Sequence, residues 1–183
     1  VAAVAAIGYR NAGTLEFLYQ DGEFYFVEMN TRIQVEHPVT EAITGHDLLR
    51  LQIETADSNL SLTQNDIMFN GSAIECRINA EDDCYLPSPG VLSEVIFPGG
   101  AGVRVDSHLY AGYRVPHYFD SLVAKLIVWD RDRPGTLRKM QRALDEMTIT
   151  GIETNKRKLQ KIVSHEKFQE GDVNTRFLDQ LTG

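Results

Sequence analysis

At 183 residues the chain has room for one domain, or one domain and a piece of a neighbour. A content of 43% hydrophobic and 24% charged residues allows a sizeable core and excludes wholesale disorder. The net charge of −8 excludes a general affinity for nucleic acid or an anionic membrane surface, and no apolar run approaches the roughly 18–20 residues of a spanning helix.

The first residue is Val1 rather than Met. The run Val1-Ala2-Ala3-Val4-Ala5-Ala6-Ile7-Gly8 reads as the last turns of a helix closed by glycine, so a piece of a longer chain is expected. Residues 13–19 and 24–30, rich in aromatic and β-branched side chains, predict two strands around the turn signal Asp21-Gly22. Pro38 then opens a short helix that Gly45 stops, and residues 46–56 form a second, with Leu49, Ile53 and Ala56 on one face. The polar stretch 57–70 is the best candidate for an internal boundary. Beyond it, residues 73–79, 92–97, 103–107 and 122–129 predict strands, the last a long apolar run suited to a central position. Leu137, Met140, Leu144 and Met147 mark one helical stripe, and Leu159, Ile162 and Val163 another. Asn174 caps a final short helix through Phe177, Leu178 and Leu181. Strands in one block with helices at both ends predict an α+β fold with a mainly antiparallel sheet flanked by helices. Cys76 and Cys84, with no further Cys or His at ligand spacing, read as two thiols of a cytosolic protein.

Two acids stand inside runs that otherwise read as core. Glu16 lies in Leu-Glu-Phe-Leu, and Glu28 in Phe-Val-Glu-Met-Asn. A strict two-residue loop at Asp21-Gly22 pairs Glu16 with Val27 and puts the acids on opposite faces. A three-residue loop or a bulge pairs Glu16 with Glu28 and puts both on one face. Like charges directly opposite destabilise a sheet unless a cation sits between them, and Mg²⁺ takes carboxylate oxygens, waters and substrate phosphates. Asn30, two residues on, adds a carbonyl ligand or a hydrogen bond. If the acids share a face, the turn is expected not to be a plain two-residue one.

Glu28, Asn30, Arg32, Gln34 and Glu36 fall at every second position. In extended chain all five project to one face, but a straight run would span about 27 Å at roughly 3.3 Å per residue, so a bend near residues 30–32 is required. The Arg32 fork suits a carboxylate, carbonate or phosphate oxygen pair. Gln34 and the Val35 backbone N–H add donors, and Glu36 is a candidate general base. A solvated strand face with charges paired among themselves is the competing reading.

In residues 73–79, alternation puts Glu75 and Arg77 together, opposite Ile74, Cys76 and Ile78. From the pattern alone a surface pair is the simpler reading, and a buried Asp120–Lys125 ion pair is likewise expected.

The run Glu28-Met29-Asn30-Thr31-Arg32-Ile33-Gln34-Val35-Glu36-His37-Pro38 resembles the biotin carboxylase signature. The resemblance continues through Glu75-Cys76-Arg77-Ile78-Asn79-Ala80-Glu81-Asp82, Leu86-Pro87-Ser88-Pro89-Gly90, Ala111-Gly112-Tyr113, Phe119-Asp120-Ser121 and Gly151-Ile152-Glu153-Thr154-Asn155. It covers essentially the whole chain in order. It implies the C-terminal part of an ATP-grasp enzyme, with residues 1–57 closing the ATP-grasp domain and residues 58–183 forming the biotin carboxylase C-terminal domain. The implied reaction is the ATP- and bicarbonate-dependent carboxylation of biotin on a carrier protein, through carboxyphosphate. By motif position Glu16, Glu28 and Asn30 would hold Mg²⁺ (or Mn²⁺), while Arg32, Gln34 and the Val35 backbone would hold bicarbonate. Glu36 would be the base, and Arg77 would stabilise the biotin enolate. Leu18 and the region of Thr175 would line the adenine pocket, although the family carries a larger aliphatic residue where Thr175 stands. Implied partners are the biotin carboxyl carrier protein, a carboxyltransferase component and a second copy, the last partly through the loop Gly99 to Arg104. Some members carry an aromatic residue where Ala101 stands. Met29 and Thr31 favour an acyl-CoA carboxylase, most of all the cytoplasmic acetyl-CoA carboxylase of fatty acid biosynthesis, over pyruvate carboxylase. Competing readings are another ATP-grasp ligase, disfavoured by Gln34 to His37, and a non-catalytic dimerisation or carrier-docking module, disfavoured by the retained acids and arginines. The family's Gly-rich phosphate loop and ATP lysines have no counterpart in these 183 residues. The 183-residue chain alone is therefore expected to show no biotin-dependent ATP hydrolysis; a phosphate-release assay on the purified chain that detects turnover would overturn this.

Overall fold

The computed structural model describes residues 2–57 and 60–181. Val1, at the head of the Ala-rich run, and Ser58 and Asn59, within the polar stretch, lie outside them. The chain divides into two compact units, Val1–Asn70 and Gly71–Gly183.

In the first unit, helix α1 (Ala2–Ala6) precedes a hairpin of β1 (Thr14–Gln20) and β2 (Glu23–Asn30), followed by α2 (His37–Thr44) and α3 (Leu48–Asp57). Asp21 and Gly22 both adopt positive φ (53° and 88°), as the tight turn joining twisted strands demands. Gln20 faces Glu23 across it, so this is a plain two-residue turn, against the expectation from sequence. The shift in pairing arises farther along the hairpin. Phe17 pairs with Phe26 but Glu16 pairs with Glu28, which leaves Val27 as the extra residue of a β-bulge. The bulge separates the faces. Leu15, Phe17, Phe26 and Met29 line an apolar cavity of about 470 Å³ together with Ala3, Val4 and Ile7 around α1. Pro38 sits in the first turn of α2, which Gly45 ends in the left-handed conformation (φ 73°). The Glu41 carboxylate accepts from the Leu48 N–H at 2.8 Å and ties the start of α3 to α2.

The second unit runs β3 (Ser72–Asn79), β4 (Gly90–Val91), β5 (Glu94–Ile96), β6 (Val103–Ser107), β7 (Arg114–Val115), β8 (Leu122–Asp130), α4 (Arg133–Glu146), β9 (Thr148–Thr150), α5 (Lys156–Ser164), α6 (Glu166–Glu170) and α7 (Phe177–Leu181). All its strand pairs are antiparallel. As the apolar run predicts, β8 is central in the three-stranded sheet β3-β8-β6. Of residues 92–97, expected as one strand, Glu94–Ile96 form β5, which pairs with β9; Leu92 and Ser93 separate it from β4, which pairs with β7. Ile78, Leu126 and Val128 meet Met140, Leu144, Met147 and Val163 in one core, so the stripe predicted for α4 faces the sheet. Asp132 caps α4 by accepting from the Gly135 N–H at 2.7 Å. Asn174 bonds the Arg176 N–H at 2.9 Å, a turn just ahead of α7 rather than a cap on its first residue. Both cysteines are free thiols, and burial pushes the Cys76 thiol up to about 12. Among the described residues no helix is long and apolar enough to cross a membrane.

Candidate active site

The bulge at Val27 sets Glu16 and Glu28 side by side on the hairpin face opposite α1. Two carboxylates at directly opposed positions repel unless donors or a cation stand between them. The Asn30 Nδ2 does part of this, donating to Glu16 Oε1 at 2.7 Å and to Glu28 Oε1 at 3.2 Å. Gln34 Nε2 donates to the same Glu16 oxygen, also at 2.7 Å. An amide donor shared between two acids holds both rotamers and leaves a preformed pair of hard oxygen donors.

The chain then leaves the strand. β2 ends at Asn30, and Arg32 lies in a bend, which supplies the turn the period-two series requires. Residues 34–37 close a turn into α2: the His37 N–H and Nδ1 both donate to the Gln34 carbonyl, at 3.3 and 2.8 Å. The result is a cleft of about 530 Å³ whose wall carries Arg32, Gln34, Glu36 and His37, with Gln52 and Thr55 of α3. Arg32 Nη1 donates to the Ile33 carbonyl at 3.2 Å. Glu36 is the residue preceding α2, yet its side chain makes no capping bond to that helix.

Gln34 therefore belongs to two groups at once: it lines the cleft and it bonds Glu16. The sequence showed two separate clusters, an acid pair and an anion pocket. No periodic signal links Gln34 to Glu16, because the link depends on the bend. Leu18, on β1 two residues from Glu16, pairs with Tyr25 and is largely exposed.

Arg77 and Thr175 belong to the second unit. Cys76 and Ile78 turn into the core while Arg77 stands exposed on the other face of β3, as the alternation predicts. Lys125 lies directly across from Arg77. The expected Asp120–Lys125 pair does not form. Lys125 Nζ instead reaches Asp106 Oδ2 on β6 at 3.5 Å, while Asp120 accepts from the Leu122 N–H at 2.8 Å. The register decides this, since Asp106 faces Lys125 across the β6–β8 ladder and Asp120 is spent on the turn into β8. Hydrogen bonds from Arg104, with its charge and that of Lys125, hold the Asp106 carboxyl below the usual range against the opposing effect of burial. Thr175 is exposed on the loop before α7.

Residues 75–180 match the family model for the biotin carboxylase C-terminal domain. The chain belongs to the biotin carboxylase family. Residues 1–64 match a second model, the ATP-binding domain of the carbamoyl-phosphate synthase L chain. The chain is 53% identical to a biotin carboxylase of Haemophilus influenzae, with 99% of this chain and 41% of that protein covered. Among solved structures it is similar to the biotin carboxylase domain dimer of Hydrogenobacter thermophilus 2-oxoglutarate carboxylase in complex with MgADP, ADP and bicarbonate. That match has a TM-score of 0.95 and 45% identity, over 98% of this chain and 41% of that one. It is equally similar to the biotin carboxylase subunit of pyruvate carboxylase, with a TM-score of 0.95 and 44% identity over 98% of this chain and 41% of that one. The chain thus spans about two fifths of the length of these biotin carboxylase relatives.

Proposed function

We propose that this chain carries the metal, bicarbonate and enolate residues of a biotin carboxylase, which uses ATP and bicarbonate to carboxylate biotin on a carrier protein. The observation that carries the proposal is the Glu16–Glu28 pair, held by Asn30 and joined through Gln34 to a cleft bearing Arg32 and Glu36.

The donor set fits the metal. Among the described residues no three His, Cys, Asp or Glu side chains converge, and two carboxylates beside an amide suit a hard cation that keeps waters and takes phosphate oxygens. Glu16 and Glu28 would hold Mg²⁺ (or Mn²⁺), with Asn30 at the same site. When bound, the ion neutralises phosphate charge during transfer. Arg32 offers its fork to the bicarbonate oxygens, and Gln34 and the Val35 N–H add donors. Glu36 takes the bicarbonate proton, so that the oxygen can attack the terminal phosphate of ATP with ADP as the leaving group. Arg77 places a fixed positive charge where the biotin enolate develops. Leu18 and the Thr175 region line the adenine pocket.

In this reading the polar stretch 57–70 separates the close of an ATP-grasp domain from the C-terminal domain. The end of one family model at residue 64 and the start of the other at 75 support that placement. Met29 and Thr31 favour an acetyl-CoA carboxylase of fatty acid biosynthesis, so a biotin carboxyl carrier protein and a carboxyltransferase are the partners. The loop from Gly99 to Arg104, whose Gly99 carbonyl accepts from Arg142 Nη2 at 3.3 Å, would contribute to a homodimer. Two free thiols suit a cytoplasmic setting.

The test is a metal titration of the full-length enzyme. Asn30→Ala leaves both acids but removes the amide that orients them. It is expected to raise the Mg²⁺ concentration needed for half-maximal activity about 10–100-fold. An unchanged Mg²⁺ requirement in both Asn30→Ala and Glu16→Gln would overturn the metal assignment.

A further inference from the structure

Asn155 occupies the position preceding α5, where an Asn side chain ordinarily accepts a hydrogen bond from the first turn of its own helix. Here it makes no such bond. Its side chain turns to the outer edge of β3, the edge not paired with β8. Nδ2 donates to the Arg77 carbonyl at 3.0 Å, and Oδ1 accepts from the Asn79 N–H at 2.9 Å. The Asn155 backbone N–H adds a third bond, to the Asn79 carbonyl at 3.1 Å. The amide thus imitates a peptide unit of a neighbouring strand for the length of two residues. It clamps the backbone on either side of Ile78 where β3 would otherwise have an open edge.

The approach of this segment is itself specified. Gly151 has φ of 98°, and a Cβ there would lie 2.2 Å from the Val91 carbonyl oxygen, so only glycine lets the chain after β9 pass this close. The β3 register shifts between Ile78 and Asn79, so the ladder with β8 becomes irregular beside Arg77. The Asn155 clamp falls on that irregularity.

We propose that Asn155 is a positioning residue for Arg77: it gives up capping its own helix to fix the backbone from which the Arg77 guanidinium projects. The inference rests on the role given above to Arg77. A guanidinium stabilises developing charge only if it is preorganised, and small displacements of a charged group cost rate rather than binding.

The test uses the full-length enzyme with Asn155→Asp, Asn155→Ala, Arg77→Ala and the double variants. Asn155→Asp keeps the acceptor for Asn79 but sets a carboxylate oxygen against the Arg77 carbonyl, so it preserves one arm of the clamp should Asn155→Ala lose its fold. Either variant is expected to lower kcat for biotin carboxylation about tenfold, within the loss that a misplaced group produces. KM for ATP and bicarbonate, and ATP hydrolysis without biotin, stay unchanged. In the Arg77→Ala background, Asn155→Asp is expected to cause no further loss. Losses that add in the double variant, or an equal fall in biotin-independent ATP hydrolysis, would overturn the positioning role. Arg77→Ala turning over like the parent would overturn the role of Arg77 and the positioning claim with it. That failure is distinct from one in which Arg77→Ala is crippled but the losses add.

Discussion

Replacing Glu36 with Gln in the full-length enzyme is expected to lower kcat by about 10²–10⁴-fold, the range general-base removal produces. This corresponds to about 2.7–5.5 kcal/mol of lost transition-state stabilisation. Gln is nearly isosteric, so the cleft keeps its shape. Glu36 makes no capping bond to α2, so the helix start loses no side-chain cap in the exchange. What disappears is the oxygen proposed to take a proton from an acid at Arg32, which lines the same cleft. The loss should therefore sit in kcat, with KM for ATP close to that of the parent. Steady-state kinetics with bicarbonate varied would show it. A rise in KM for bicarbonate at unchanged kcat would make Glu36 a binding residue and sink its assignment as base. Arg32→Ala is the useful contrast, because removing an anion-holding fork raises KM for bicarbonate as well.

The largest expected loss of stability comes from Leu126→Ala. Leu126 is wholly buried in the middle of β8, with Cys76 opposite it on β3 and Val105 opposite it on β6. It shares one core with Met140, Leu144 and Val163, two helices and three strands that all meet the same side chain's surroundings. Truncation there removes transfer energy and leaves a cavity that flanking strands cannot collapse around, costing about 2–5 kcal/mol. Urea unfolding should show a lower midpoint with an unchanged slope. The same truncation at Leu178, half exposed on α7, should cost within about 0.5 kcal/mol. A Leu126→Ala loss no greater than that of Leu178→Ala would mean that β8 is not the centre of this core.

The sequence made the long elements plain because each writes its own periodicity. The alternation in β3 separates Arg77 from Cys76 and Ile78, and the predicted stripe names Leu137, Met140 and Leu144 of α4 and Met147 just past it, all in the core. The pairs β4–β7 and β5–β9 were hidden for the opposite reason. Two or three residues carry no period, and the partners lie far along the chain. The candidate site divides in the same way. Glu16, Glu28 and Arg32 stand out as charges in apolar or alternating runs, whereas the contact of Gln34 with Glu16 exists only once the chain bends at Arg32. The Asp120–Lys125 pair does not form because proximity in sequence is not proximity across a sheet, where register gives Lys125 to Asp106. The hairpin was half legible. That a longer loop or a bulge could bring its acids together is legible, but the turn is a plain two-residue one and the bulge at Val27 makes the shift.

That placement has a consequence for changes of sequence. The turn keeps its two residues and its strand twist, while one surplus residue in β2 decides which side of the ribbon receives Glu28. The acid pair thus depends on how Val27 is accommodated: were Val27 drawn into an even ladder, it would face Glu16 and Glu28 would pass to the oily side beside α1. Closing the bulge at constant length is a different kind of event, since it would separate the paired acids without altering either of them.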